Sequence, residues 1–188
     1  PLHLKRINEL AKTDYSREEL KEVLFSDTDE SKRMMKIYVD TQKESLIEAA
    51  KVMRAGIDSV DKSLPGTFCC VGNNAEFAGE IAQILAGEGN PVVVRLNNGN
   101  YAVAGAKYIS DSFFKAAAQK AKLKDKVDVF LAETDTCPQN RYSTSAMGLH
   151  SHFTGTILEG AAGAKHWITR LHAYEPESGK MYRKVLSK

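Results

Sequence analysis

Glu133 ends an apolar run and is followed at once by a dense polar segment. The stretch from Val127 to Ser143 reads VDVFLAETDTCPQNRYS, so the carboxylate comes directly after Val129–Ala132. A glutamate at the end of a strand can act as a nucleophile, bind a metal ion, cap the next helix or pair with an arginine. Its chemistry therefore depends on the elements that position it.

Polar side chains follow each of four short apolar runs. The runs are TFCCVG, PVVVRL, VDVFLAE and HWITRL, which are rich in β-branched and aromatic residues and are therefore predicted to be strands. The polar residues are Asn73, Asn74, Arg95, Asn97, Asn98, Tyr101, Glu133, Asp135, Asn140, Arg141, Tyr142, Arg170 and His172. Loops at the carboxyl ends of parallel strands converge on ligands, so we expect a site there.

Amphipathic helices are predicted between these runs. The expected caps are Asn73 or Asn74, then Ser110 or Asp111, then Ser143 or Ser145, with Gly87 and Gly160 ending the first and third helices. Their expected apolar faces are Phe77, Ile81, Ile84 and Leu85 in the first helix, Phe113, Phe114, Ala117 and Ala121 in the second, and Leu149, Phe153 and Ile157 in the third. Strand and helix therefore alternate.

Residues 1 to about 60 have a helical pattern. Ser16 and Glu19 form a capping box at the start of a short helix. A longer helix follows, and its predicted buried stripe is Met35, Val39, Gln42, Leu46, Ala49, Met53, Ile57 and Val60. Lys36, Lys43, Glu44, Lys51 and Arg54 lie off this stripe and are expected to face water.

Continuously apolar strands joined by helices predict a parallel sheet that is covered on both sides. Two architectures satisfy this pattern, an open doubly wound sheet and part of a (β/α) barrel. The strand pattern alone leaves both open.

Composition removes several classes of function. The chain has 188 residues, which suits one domain, and its 26 basic and 24 acidic residues are scattered, so a nucleic-acid-binding stripe is disfavoured. No apolar run approaches the roughly 20 residues of a membrane helix. Three cysteines and five histidines match no zinc pattern, and Cys69 and Cys70 are expected to be core residues. His150 and His152, spaced by two on a helix, are expected to be structural.

The polar residues favour a sugar site over a nucleotide site. Amides, arginines, a tyrosine and a carboxylate pair with hydroxyl groups, and Trp167 can pack on the C–H face of a pyranose ring. The glycine runs GNN and GAAGA lack the spacing of a P-loop or a dinucleotide fingerprint. No cofactor or metal is therefore expected.

The order PLHLKRINELAKTDYSREEL, a long helix, VRLNNGNY, FLAETDTCPQNRYSTSA and AKHWIT resembles the second half of the barrel in β-galactosidase-like retaining glycoside hydrolases of the (β/α) barrel clan. The resemblance implies a partial (β/α)8 TIM barrel, with a helical lead-in over residues 1–62 and strands five to eight with their helices over 63–188. Glu133 then ends strand seven, where the clan places its catalytic nucleophile, and the acid/base would end strand four, before Pro1. The absence of an initiator methionine likewise predicts a piece of a longer protein.

The resemblance implies a β-linked, galactoside-like substrate that reacts through a covalent intermediate. The expected substrate contacts are Asn73, Asn74, Arg95, Asn97, Tyr101, Asp135, Arg141, Tyr142, Trp167 and Arg170. Arg95 or Arg141 is expected to keep Glu133 ionised and oriented. A half barrel has open edges and an exposed inner face, so we expect the missing half or a homo-oligomer as partner.

Two further interpretations remain open. In one, Glu133 and Asp135 bind magnesium or manganese in an enzyme of another class. In the other, the chain is a non-catalytic flavodoxin-like module that binds a ligand or a partner within a multidomain carbohydrate enzyme. That module would have helices on both sheet faces and a solvated Glu133.

Overall fold

A computed structural model describes residues 2–70, 75–99, 105–135, 145–167, 180, 183, 184 and 187. The chain divides into two compact units, Pro1–Met53 and Arg54–Lys188. None of the described helices is both long enough and apolar enough to cross a bilayer.

The first unit is helical, as predicted. It contains α1 (Leu2–Ala11), α2 (Arg17–Leu24) and most of α3 (Asp29–Asp58). Its core consists of the buried side chains Ile7, Ala11, Leu20 and Met34. The predicted capping box is confirmed, because Ser16 Oγ accepts a hydrogen bond from the Glu19 amide at 3.2 Å and the Glu19 carboxylate accepts one from the Ser16 amide at 2.8 Å.

The predicted buried stripe of α3 is wrong. Val39, Leu46 and Met53 are exposed, whereas the buried positions include Met34 and Thr41. The apolar residues recur at helical spacing as expected, but this spacing does not reveal which face of the helix meets its neighbours.

Arg54 was expected to face water and is instead buried. Its Nη1 donates hydrogen bonds to the carbonyl oxygens of Leu64 and Leu85, both at 2.8 Å, and its Nε donates to Asp58 at 2.9 Å. A buried guanidinium is tolerated when such acceptors satisfy its donors. Arg54 therefore caps the last turn of the helix that contains Leu85.

The second unit contains the predicted alternation of strands and helices. Its elements are β1 (Phe68–Cys69), α4 (Ala75–Ala86), β2 (Val93–Arg95), α5 (Gly105–Leu123), β3 (Val129–Asp135), α6 (Ala146–Leu158) and β4 (Gly163–Trp167). The strands form one sheet in the order β1-β2-β3-β4, and each neighbouring pair is parallel. This is an α/β fold with a four-stranded parallel sheet.

The two faces of the sheet carry different side chains. Val94 lies opposite Phe130, and both belong to a core that includes residues of α4 and α5. Arg95 lies opposite Leu131, and Glu133, two residues further along β3, lies opposite Lys165. Since side chains alternate along a strand, Arg95, Glu133 and Lys165 project from the face that α4 and α5 do not cover.

Several predicted boundaries are confirmed. Ser145 is the N-cap of α6, where its side chain accepts a hydrogen bond from the Gly148 amide, and Gly87 and Gly160 have the positive φ values that suit a glycine just beyond a helix. Both candidate caps of α4, Asn73 and Asn74, and the second candidate cap of α6, Ser143, lie outside the described residues.

Other local predictions are wrong. Helix α5 begins at Gly105, so Ser110 and Asp111 lie inside it, and Phe114 and Ala121 are exposed while Ala116 and Gln119 are buried. Strand β4 begins at Gly163 and not at His166. Cys70 is buried as expected, but Cys69, on the edge strand of the described sheet, is exposed.

Candidate active site

Glu133 and Arg95 form a buried ion pair near the carboxyl ends of β2 and β3. Arg95 Nη1 contacts Glu133 Oε1, and the Gly99 amide donates a hydrogen bond to Oε2 at 3.3 Å. The side chains of Arg95 and Glu133 are only 13% and 9% exposed. Glu133 therefore has a positive charge on one carboxylate oxygen and a backbone donor on the other.

This arrangement suits a charged carboxylate. Removing a carboxylate from water is unfavourable unless a cation and hydrogen-bond donors replace the water, and Arg95 and Gly99 supply both. Arg95 is one of the two arginines that the sequence predicts beside Glu133.

The segment that follows β2 is fixed by α5 at its second residue, Asn97. The Asn97 amide donates to Gln119 Oε1 at 2.8 Å, and Gln119 Nε2 donates to the Asn97 carbonyl at 2.9 Å. One buried side-chain amide thus satisfies both backbone groups of Asn97.

The next residue, Asn98, joins β3 to α6. Its Oδ1 accepts a hydrogen bond from the Glu133 amide at 2.8 Å, and its Nδ2 donates to Thr156 Oγ1 at 3.2 Å. Thr156 in turn donates to the carbonyl of His152 at 2.8 Å. Asn98 and Thr156 are essentially inaccessible to solvent.

His152 completes the cluster on α6. Its ring is stacked on Phe113 of α5 with centroids 6.4 Å apart. Its Nε2 is buried and has no hydrogen-bond partner among the described residues. Burial lowers the pKa of His152 below its ordinary value, against the opposing effects of the nearby Asn98 backbone and the negative charge of Glu133.

The structure brings together three of the residues expected at this site, Glu133, Arg95 and Asn97. The described hydrogen bonds of Asn97 are made by its backbone N–H and C=O groups. Asp135 lies opposite Trp167 at the ends of β3 and β4, but their side chains lie outside the described part of the chain. The predicted residues Asn73, Asn74, Tyr101, Arg141, Tyr142 and Arg170 also lie outside it.

Sequence reasoning missed Gln119, Thr156 and the part that His152 takes in the cluster. A signal for the α6 residues is present, because Leu149, His152 and Thr156 recur at spacings of three and four and all three are buried. A polar residue at a core position of a helix needs a partner, and here the partner is Asn98. Asn98-Gly99 therefore does more than form a turn.

No three His, Cys, Asp or Glu side chains converge within the described residues in a way that would hold a metal ion. Glu133 is engaged by a guanidinium, which repels a second cation. The metal interpretation pairs Glu133 with Asp135, whose side chain lies outside the described residues.

Comparison of the chain with protein-family models, with curated proteins and with solved structures found no match.

Proposed function

We propose that this chain carries the nucleophile of a retaining glycoside hydrolase, Glu133, and that its substrate is a β-linked, galactoside-like sugar. The observation that carries the proposal is the buried Glu133 near the carboxyl end of β3, with Arg95 on one oxygen and the Gly99 amide on the other. In this reaction a carboxylate oxygen bonds to the anomeric carbon as the glycosidic C–O bond breaks.

The leaving oxygen takes a proton from a second carboxyl group, and water later releases the sugar from Glu133. In retaining enzymes the two carboxyl groups lie about 5–5.5 Å apart. From the sequence resemblance we expect the second group to come from strand four of the barrel, outside this chain. Arg95 keeps negative charge favourable on Glu133 before attack and after release.

The strand order supports a partial (β/α)8 barrel. In such a barrel each strand lies beside the preceding strand, and the helices form an outer layer. The sheet here has the order β1-β2-β3-β4, and α5 contacts both α4 and α6, as expected for one continuous layer of helices. Arg95 and Glu133 project from the opposite face, which would line the inside of the barrel.

The same observations weigh against the flavodoxin-like alternative. A doubly wound sheet reverses its strand order at a switch point, where its ligand binds. The described sheet has no reversal, and Glu133 is buried where the module predicts a solvated side chain.

Covalent trapping tests the proposal. A 2-deoxy-2-fluoro-β-galactoside with a dinitrophenolate leaving group forms the glycosyl-enzyme without help from an acid, because the leaving group departs unprotonated. The fluorine slows release, so the adduct accumulates. We expect the full-length protein to gain the mass of one fluorosugar, and peptide mapping to place it on Glu133.

Two variants serve as controls. Glu133→Gln removes the nucleophile and is expected to abolish labelling, whereas Glu159→Gln changes an exposed carboxylate just beyond α6 and is expected to leave labelling unchanged. A label on another residue, or no label after prolonged incubation with galactosyl and glucosyl reagents, would overturn the proposal.

A further inference from the structure

We propose that Asn98 is the positioning residue for Glu133, and that helix α6 holds Asn98 in place through Thr156 and His152. The inference rests on the proposed function, because it concerns the carboxylate named there as nucleophile. It assigns a role in the reaction to three residues that do not themselves contact the reacting carbon.

The Asn98-Gly99 dipeptide contacts both the backbone amide and the carboxylate of Glu133. The side chain of Asn98 accepts from the Glu133 backbone amide at 2.8 Å, and the amide of Gly99 donates to the Glu133 carboxylate at 3.3 Å. The backbone position of Glu133 and the direction of its carboxylate therefore depend on the same two residues.

Asn98 is itself fixed from the helix side. Its Nδ2 donates a hydrogen bond to Thr156 Oγ1 at 3.2 Å. The hydroxyl of Thr156 donates to the His152 carbonyl, which leaves its lone pairs directed at Asn98. Because Asn98 is only 1% exposed, water cannot readily replace these partners.

The type of side chain at position 98 follows from this geometry. An amide has an acceptor and a donor at opposite corners of a rigid plane, so it can bridge a backbone N–H of β3 and a hydroxyl of α6 at a fixed separation. An aspartate lacks the donor and a leucine lacks both groups. A small shift of the carboxylate matters, since a misplacement of about 1 Å can lower a rate by about a hundredfold.

Thr156→Val tests the proposal because it keeps the shape of the side chain and removes the acceptor for Asn98. Thr156→Ser keeps the hydroxyl and removes only the methyl group. Thr154→Val makes the same chemical change at an exposed position of the same helix and is the matched control. If Thr156→Val fails to fold, as judged by circular dichroism, Thr156→Ala removes the same acceptor with less crowding.

Two readouts apply to the full chain. The first is saturation kinetics of labelling by the fluorosugar, which separates binding from bond formation. We expect Thr156→Val to lower the limiting labelling rate about tenfold, the size of effect expected when a buried hydrogen bond is lost, with little change in the half-saturating concentration. Thr156→Ser is expected to recover to within about twofold, and Thr154→Val to match the wild type.

The second readout is amide hydrogen exchange at Glu133 and Gly99, which does not depend on catalysis. We expect Thr156→Val to speed exchange of both amides about tenfold while exchange in the core at Val94 and Phe130 stays unchanged. Unchanged exchange at Glu133 and Gly99, or labelling at the wild-type rate, overturns the inference. A wild-type protein that never labels overturns the proposed function, and the exchange data then still decide whether α6 positions Glu133 through Asn98.

Discussion

Replacing Arg95 with methionine tests whether the ion pair at the candidate site is buried in solution. Methionine keeps much of the apolar stem and removes the guanidinium, so Glu133 loses the cation on Oε1. Breaking a buried pair by removing one partner typically costs about 3–5 kcal/mol, because it leaves an uncompensated charge. Since Arg95 is 13% exposed and water can reach it in part, we expect a loss of about 3 kcal/mol in the free energy of unfolding.

Glu133→Gln provides the second half of a double-mutant cycle. In Arg95→Met/Glu133→Gln neither charge is left unpaired, so we expect the double variant to recover about 2 kcal/mol relative to the sum of the two single variants. The measurement is urea unfolding at pH 7, followed by far-ultraviolet circular dichroism and by the fluorescence of Trp167, the chain's one tryptophan.

Lys51→Met is the control for the loss of a lysine or arginine from an ion pair. Lys51 contacts Glu48 at 2.7 Å, but these side chains are 57% and 68% exposed, so we expect a change within about 0.5 kcal/mol. Single-variant effects at Arg95 and Glu133 that simply add, or a cost for Arg95→Met as small as that for Lys51→Met, would refute the reasoning.

Two further changes test the packing around α6. Burial lowers the pKa of His152 in the folded protein, so between the folded and the unfolded pKa the unfolded chain binds more protons than the folded chain. We therefore expect the free energy of unfolding to fall as the pH drops below about 6.5, by up to about 1.4 kcal/mol per pH unit. Urea titrations from pH 7.5 to 5 should show that slope reduced in His152→Gln and retained in His150→Gln, and identical slopes in wild type and His152→Gln would contradict it. Gly155→Ala places a Cβ within the Phe113 ring and should cost about 1–3 kcal/mol, with partial recovery when Phe113→Leu is added. Equal stability of Gly155→Ala and wild type would disprove that contact.

The arrangement of elements was predictable from the sequence because it depends on local signals. The capping box of Ser16 and Glu19, the Ser145 cap and the helix-ending glycines Gly87 and Gly160 each act within a few residues, and each is found as expected. The placement of Glu133 near the carboxyl end of a strand follows from the apolar run before it.

Burial was harder to predict because it depends on distant partners. Arg54 is a charged residue on a helix, and only the carbonyls of Leu64 and Leu85 explain why it is buried. Phe114 continues an apolar pattern, yet the neighbouring elements meet α5 through Ala116. Helical spacing determines which residues share a face, but contacts far apart in the chain determine which face is covered.

The candidate site shows the same division. Glu133 and Arg95 were recognised by residue type and by their strand positions, although the sequence left Arg95 and Arg141 as equal candidates for the partner. The bridge through Asn98 joins residues 58 positions apart and depends on the packing of α6 beside the sheet. Asn98-Gly99 also matches an ordinary turn signal, which concealed its contacts with Glu133.

Three consecutive residues after Leu96 make hydrogen bonds with different partners. Asn97 bonds to α5, Asn98 bonds to α6 and to the backbone of β3, and Gly99 bonds to the Glu133 carboxylate. A one-residue insertion or deletion between β2 and Asn97 would shift all three residues along the chain and separate each from its hydrogen-bond partner. An insertion after Gly99 would leave the positions of these three residues, and therefore their hydrogen bonds, unchanged. The length of the chain can therefore vary beyond Gly99 over generations while the contacts that hold the carboxylate are inherited unchanged.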